Sequence, residues 1–375
     1  MSVVLGMPQP RPAAGSNRLV ATGGIRPAVA LPAERPDASG LVDRFGREAT
    51  DLRISLTDRC NLRCTYCMPA EGLPFLAPPA LMSLEEITRF ARIAVTDFGV
   101  RQVRFTGGEP LLRKDLVEII RSVAALEPRP EISLTTNAIG LTSRATALAE
   151  AGLDRINVSL DSIHPETFAK ITRRPFLDRV LSGIDAVRAA GLKSTKINAV
   201  LMPGINDHQA VELLEWALAG GHQLRFIEQM PLDADHTWER ESMITAAQIR
   251  ERLAVRYLLS PDDAPRDGAP AELFQVREQA DGPDGPMLGL VGIIASVSEP
   301  FCADCRRTRL TAEGAVRSCL FSHTETDLLG PLREGAADAE LADLWRSAMW
   351  AKPSGHHMNE AGFAQPDRPM SAIGG

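Results

Sequence analysis

The sequence contains no apolar run approaching the roughly 20 residues that span a bilayer, and its first 40 residues lack the apolar stretch of a secretory signal. A membrane-embedded or exported chain is therefore not expected, and the cytoplasm is the expected compartment. Positive charge is in short supply: 41 Lys and Arg stand against 48 Asp and Glu, a formal net charge of −7. Proteins that coat nucleic acid or anionic membrane carry the opposite sign. Neither partner is expected, and an anionic ligand would have to be held by a local basic cluster. No cysteine is left over as a stray core residue. All six fall in two triplets, Cys60, Cys64 and Cys67, then Cys302, Cys305 and Cys319, and in a reducing compartment such grouping favours metal over disulfide.

Residues 1–42, with "MPQPRPAAGS" and "VALPAERPDASG", are rich in Pro, Ala, Gly and Arg and carry no sustained apolar period. A disordered extension is expected there; a transit peptide is the alternative, since the first acidic residue is Glu34.

From residue 51 one theme repeats, a short β-branched run followed by an amphipathic helix. The runs are "LRISLTD" (52–58), "VRQVRFTGG" (100–108), "EISLTTN" (131–137), "RINVSLD" (155–161), "STKINAVLM" (194–202) and "LRFIEQM" (224–230), giving six expected strands. Between the first two, Ser83 is the expected N-cap, Glu86 its capping-box partner and Gly99 the stop. Later helices are expected to stop at Gly152 and Gly191, and a third to run from Asp207 to Gly220. Such alternation implies right-handed βαβ units and a parallel sheet. The expected fold class is α/β, an incomplete TIM-like (β/α)6 barrel over residues 43–244; an open doubly wound sheet shares the same alternation. Polar residues gather at the strand ends, in "TGGEP", "TTN", "SLD" and "EQM", where parallel sheets place their active sites. After about residue 245 the theme weakens into "SPDDAPRDGAP" and a hairpin around "DGPDGP". Residues 245–340 read as a second module around the second cysteine triplet, and residues 341–375 as a C-terminal tail ending in Gly374–Gly375.

A structural zinc site takes four N or S ligands. Each triplet supplies three thiolates, and the nearest histidine, His323, lies four residues past Cys319. A [4Fe–4S] cluster held by three cysteines keeps one iron open to a substrate. The alternatives are a zinc knuckle or three core cysteines for the first triplet, and a zinc ribbon with a distant fourth ligand for the second. Arg306, Arg307 and Arg309 accompany the second triplet. Guanidinium forks suit phosphate oxygens, unless these three are merely solvated. Arg53 and Lys196 lie inside apolar strands, where a charge is costly to bury unless something anionic meets it.

The C-x3-C-x2-C spacing, with Tyr66 before the third cysteine, resembles the signature of the radical S-adenosylmethionine superfamily, and "TGGEP" at 106–110 resembles that superfamily's contact for the methionine amino group. Together with "DRFGREATDLRISLTDRCNLRCTYCMP", "LTTNA", "INVSLDS", "KINAVLMPGIND", "RFIEQMP", "FCADCRRTRLTAEGAVRSCL" and "KPSGHHMN", the chain over residues 43–375 resembles the GTP 3′,8-cyclase family of molybdenum-cofactor biosynthesis. The resemblance implies a radical enzyme with two [4Fe–4S] clusters, held by Cys60, Cys64 and Cys67 and by Cys302, Cys305 and Cys319. It implies S-adenosylmethionine contacts at Tyr66, Gly108, Ser159 and Met230. GTP contacts are implied at Arg53, Arg104, Thr135, Lys196, Arg307 and Arg309, with Arg53, Arg307 and Arg309 also catalytic.

In the implied reaction a 5′-deoxyadenosyl radical removes the ribose 3′ hydrogen of GTP, the resulting carbon radical adds to C8 of the base, and a further electron and proton give 3′,8-cyclo-7,8-dihydro-GTP. The implied partners are a flavodoxin- or ferredoxin-like electron donor and a downstream cyclic pyranopterin monophosphate synthase, with the chain a monomer or homodimer. The family's Gly-Gly tail reaches into the active site; for Gly374 and Gly375 a frayed end is the alternative. Gln102 stands where some members carry lysine, so one phosphate contact is either missing, which would weaken GTP binding but not change the reaction, or supplied by Arg101. His356 and His357 read as surface or packing residues rather than metal ligands, and Met230, without the resemblance, as core. Two other functions fit in part. A peptide-modifying radical enzyme with one auxiliary cluster shares the first triplet but leaves the basic rim unexplained. A non-enzymatic iron–sulfur or zinc scaffold explains six thiolates, but neither "TGGEP" nor charges inside strands.

Overall fold

The computed structural model of the chain describes residues 35–374, without the side chains of Lys193 and Ser194. Of the expected extension, residues 1–34 lie outside the described residues, as does Gly375. Each β-branched run forms a strand. β1 (Asp51–Ser55), β2 (Gln102–Thr106), β3 (Glu131–Thr136), β4 (Arg155–Ser159), β5 (Lys193–Val200) and β6 (Gln223–Ile227) lie side by side in chain order, each parallel to the next. The chain returns between them through α1 (Leu84–Phe98), α2 (Leu116–Ala124), α3 (Ala145–Glu150), α4 (Pro165–Thr172), α5 (Leu177–Ala189) and α6 (Ala210–Ala219). α1 begins with the expected reciprocal cap, Ser83 Oγ accepting the Glu86 N–H at 3.2 Å and the Glu86 carboxylate accepting the Ser83 N–H at 2.7 Å. The helix expected from Asp207 instead opens with a 3-10 turn at Asp207–Gln209. The Asp207 side chain faces Gly204 N–H (2.8 Å) and Arg252 (2.9 Å) and does not cap α6.

The period-2 pattern of the strands decides what faces where. Leu52, Ile54, Val103, Phe105, Ile132, Leu134, Ile156, Val158, Leu224 and Phe226 are fully buried in the apolar core. The alternate positions, among them Arg53, Arg104, Thr135, Ser159, Asn198 and Arg225, line an interior cavity. A parallel barrel normally fills this space with branched apolar side chains; here it is polar and open.

The segment after residue 245 builds no sheet of its own. α7 (Ala246–Ala254) leads into β7 (Tyr257–Pro261), β8 (Glu272–Glu278) and β9 (Gly289–Ile294). The expected hairpin is the antiparallel pair β8–β9, and β9 joins β6 in parallel. At the opposite edge β10 (Arg307–Leu310) pairs parallel to β1, followed by antiparallel β11 (Ala315–Arg317) and β12 (Thr326–Asp327). An open sheet of 12 strands results, with the parallel strands at its centre. The edges of β1 and β6 would otherwise present unpaired N–H and C=O groups, and the C-terminal segment covers both. α8 (Leu329–Arg333), α9 (Asp338–Trp350) and α10 (Met370–Ile373) complete the described chain. α9 docks through Trp345, whose ring meets Phe90 and Phe98 of α1 edge-on at 6.3 and 5.6 Å while its indole N–H donates to Thr308 of β10 at 2.9 Å.

Candidate active site

The two triplets are set apart by strand direction. The loop bearing Cys60, Cys64 and Cys67 leaves the carboxyl end of β1, whereas Cys302 and Cys305 lead into the amino end of β10, parallel to β1. Cys319 follows β11, which runs antiparallel to β10, and so returns to that same end. A five-residue strand separates the two ends, roughly 13 Å at about 3.3 Å per residue. All six thiols are free of disulfide and line one cavity of about 320 Å³.

At the first end, the cysteine loop and "TGGEP" pack backbone to backbone. Gly108 N–H donates to Thr57 O and Glu109 N–H to Arg59 O, both at 2.7 Å. A Cβ on Gly108 would stand 2.3 Å from Arg59 O, and one on Gly107, at φ +134°, 2.4 Å from Thr57 O. Two glycines are therefore required by the loop contact itself. Glu109 is buried, accepting from Thr136 Oγ1 at 2.6 Å and from the Asn137 N–H at 2.7 Å, and burial lifts its pKa to about 7. The Tyr66 hydroxyl donates to Asp161 at 2.7 Å; Asp161 also accepts the Val200 N–H at 2.8 Å and is raised by burial to about 6. Burial pushes the Cys60 thiol up to about 11 and Cys67 to about 12, and lifts Cys64 well above the ordinary value.

At the second end the balance differs. Burial raises the Cys302 thiol. Burial would also raise Cys305, but the Arg307 guanidinium and Lys352 ammonium outweigh it and hold that thiol at about 6.

Cations stand between the ends. Arg309, Arg53 and Arg104 occupy directly opposed positions on the adjacent parallel strands β10, β1 and β2, a like-charge arrangement that is unfavourable by itself. Burial, then the neighbouring guanidinium groups, pulls Arg53 well below its ordinary pKa and Arg309 to about 10. Arg225 reaches Asn157 Oδ1 at 2.7 Å and is drawn down to about 9 by burial and by Arg104 and Arg155. Among the described residues, the Nε atoms of Arg53, Arg225 and Arg307 are buried without a hydrogen-bond partner. Asp51 sits among them: burial would raise its pKa, but Arg104, Arg53 and their neighbours prevail and hold it low.

The chain's end enters the same space. Ser55 Oγ donates to Ile373 O at 2.9 Å and Arg309 Nη1 to Gly374 O at 2.7 Å. Gly374 has φ +72°, and a Cβ there would lie 2.5 Å from Ser55 Oγ. Only glycine fits so close to the strand.

Residues 54–217 match the family model of the radical SAM superfamily, and residues 222–358 that of Molybdenum Cofactor Synthesis C. The chain is 60% identical over 355 residues to the GTP 3′,8-cyclase of Paenarthrobacter nicotinovorans, covering 92% of this chain and 100% of that one. It belongs to the GTP 3′,8-cyclase family. Other members of the family are similar at slightly lower identity: the cyclase of Mycolicibacterium smegmatis is 57% identical over 354 residues (94% and 95% of the two chains), and that of Streptomyces coelicolor 57% over 344 (92% and 98%). Among solved structures, Streptococcus suis SuiB bound to S-adenosylmethionine superposes with a TM-score of 0.56 at 15% identity, over 84% of this chain and 68% of that one. At that identity the likeness is one of fold.

The donor set suits the iron–sulfur chemistry of this family. Partly buried thiols with raised pKa values, as at Cys60, Cys64, Cys67 and Cys302, release their protons to metal that neutralises the thiolate, and three per site leave one iron open. Of the residues expected to contact ligands, Tyr66, Gly108, Ser159, Met230, Arg53, Arg104, Thr135, Arg307 and Arg309 line the cavity with the six cysteines.

Lys196 is not among the residues lining the cavity. It lies on β5 opposite Asn157 and Gln223, drawn down to about 8 by burial and by Arg225, Arg155 and Arg104. Neither Gln102 nor Arg101 lines the cavity, whereas His356 does. Sequence reasoning passed over Arg225, although "LRFI" carries the same signal as "LRIS", one charge at an inward position of an apolar strand. It also passed over Asn198, an inward polar residue of β5, whereas the strand-end stretch "SLD" already included Asp161.

Proposed function

We propose that the chain converts GTP to 3′,8-cyclo-7,8-dihydro-GTP, opening molybdenum-cofactor biosynthesis, with the residues of this cavity in the following roles. One observation carries the reading: a file of buried, mutually repelling guanidinium groups joins two thiol triplets, each one ligand short of a closed site. Polyanion binding relieves that repulsion, and guanidinium forks match phosphate oxygens. Arg53, Arg104, Arg225, Arg307 and Arg309 clamp the triphosphate. Lys196 stands behind Arg225 and adds positive potential, and Thr135 orients the nucleotide from β3.

Cys60, Cys64 and Cys67 hold one [4Fe–4S] cluster, and Cys302, Cys305 and Cys319 the other. When bound, the first cluster with S-adenosylmethionine supplies the 5′-deoxyadenosyl radical, and the second offers an open iron to the guanine edge. Gly108, Ser159, Met230 and the Tyr66–Asp161 pair position S-adenosylmethionine at the carboxyl end of the strands, so that the ribose lies between the triplets with C3′ toward that end. Arg309 ties the C-terminal tail across the site, excluding water from the reacting sugar.

Residues 43–244 act as the radical-forming barrel, 245–340 as the module that binds the base, and 341–375 as the closing tail. The chain works in the cytoplasm, reduced by a flavodoxin- or ferredoxin-like donor, and its product passes to a cyclic pyranopterin monophosphate synthase. The test is an anaerobic reaction of reconstituted protein with reductant, S-adenosylmethionine and either GTP or ATP, followed by mass spectrometry. 5′-Deoxyadenosine together with a cyclised nucleotide from GTP alone is expected; 5′-deoxyadenosine without any cyclised nucleotide overturns the substrate.

A further inference from the structure

Lys352, from the "KPSGHHMN" stretch after α9, has no part in the roles above. It is 2% exposed, and among the described residues no carboxylate comes within ion-pair distance of it. Its Nζ donates to Arg307 O at 2.9 Å, to Cys305 O at 3.3 Å and to Cys305 Sγ at 3.4 Å. The same segment is fastened from outside by Arg47, which donates to Ser354 O and Cys302 O at 2.7 Å each and is itself paired with Asp43 at 2.6 Å. Arg47 thus has its anion within the fold. Lys352 does not.

A buried ammonium without a carboxylate is expensive, and the acceptor with anionic character that it faces is the sulfur of Cys305. We propose that Lys352 is the positioning residue of the second triplet: its ammonium balances the negative charge of the iron–sulfur cluster bound there, raises that cluster's reduction potential through an N–H···S hydrogen bond, and holds the ligand loop in register with Arg307. The direction follows from charge. Reduction adds an electron to an already anionic centre, and a fixed cation and hydrogen-bond donor at a ligand sulfur favour the more negative state. The donation to Arg307 O links this cradle to the triphosphate clamp, so one side chain couples the ligand loop to the strand that follows it.

The inference rests on the reading of the second triplet as a cluster site, and its test separates the two. Reconstituted full-length protein is compared as wild type, Lys352→Met and Lys352→Arg by iron content and by redox titration followed with electron paramagnetic resonance. The signal of the second triplet is identified by its loss in Cys319→Ala. Wild type should bind about eight iron atoms per chain; if the Cys319→Ala comparison reveals no second cluster, the cluster reading itself fails. Methionine keeps the length and apolar body of lysine without charge or donor. The expected result is a lower midpoint potential for the second cluster in Lys352→Met with the first unchanged, and a near wild-type potential in Lys352→Arg. Loss of the second cluster's iron from Lys352→Met, with retention in Lys352→Arg, also supports the proposal. A Lys352→Met protein that matches wild type in iron and potential overturns it, as does a Lys352→Arg protein that fails as completely as Lys352→Met.

Discussion

Arg53 sits where the strand pattern places an inward side chain, opposite Arg309 on one neighbour and Arg104 on the other. In the ligand-free chain it is a liability, since three guanidinium groups are held together with Asp51 nearby as carboxylate. Like charges at directly opposed strand positions are destabilising, and Asp51, 3.9 Å from Arg53 Nε, keeps Arg104, Arg307 and Arg309 as counter-charges when Arg53 is removed. Arg53→Met should therefore raise the urea midpoint of the ligand-free protein while weakening GTP by about tenfold or more, the worth of a charge-assisted contact. Denaturation with and without GTP reads both, and a variant less stable than wild type without ligand contradicts the electrostatic explanation of the site.

Glu109 gives a test in pH. Its folded pKa is about 7 against an ordinary 4.5, raised by burial. A carboxyl raised on folding costs no stability below its unfolded pKa and destabilises progressively as pH climbs through the folded one. Wild type should lose stability relative to Glu109→Gln between about pH 4.5 and about pH 7, with a constant difference above that window. Thermal melts of the two proteins across pH measure it; a difference that does not change with pH would show that the carboxyl ionises as freely folded as unfolded.

At the scale of the elements, α9 braces the strand that carries two of the arginines. Trp345 is fully buried between Phe90 and Phe98, and its indole satisfies Thr308, which lies between Arg307 and Arg309 on β10. Trp345→Ala leaves a cavity and strands the Thr308 hydroxyl, a loss of about 3–5 kcal/mol. Because β10 is pinned by this contact, GTP affinity should fall along with thermal stability, although Trp345 lies outside the cavity. Calorimetric titration at a temperature where the variant is still folded separates the two effects; unchanged affinity would mean that pairing with β1 alone holds β10 in place.

At the scale of the whole molecule, local rules were legible and long-range closure was not. "LRIS", "QVRFT" and "RINVS" show their strands by alternation, and Ser83 with Glu86 shows the start of α1, because those signals act within a few residues. The cysteine spacing marked both triplets for the same reason. The pairing of β9 with β6 and of β10 with β1 could not be read from the chain: no local pattern records which open edge a distant strand will cover, so a segment that reads as a separate module proves to extend the first sheet at both sides. Lys196 was read as an inward charge and takes that register on β5, opposite Asn157, because period 2 fixes the face of a strand. Arg225 carried the same signal as Arg53 and was legible all along.

On the proposed function, the two triplets at opposite ends of one set of strands hold the sugar between them, with C3′ toward the first. The most direct test uses GTP deuterated at the ribose 3′ carbon, with reconstituted protein, reductant and S-adenosylmethionine, and mass spectrometry of the 5′-deoxyadenosine released. One deuterium transferred to 5′-deoxyadenosine in step with cyclised product is the result predicted. Product formed with unlabelled 5′-deoxyadenosine would mean that another position of the nucleotide faces the first triplet, and would contradict the proposed orientation.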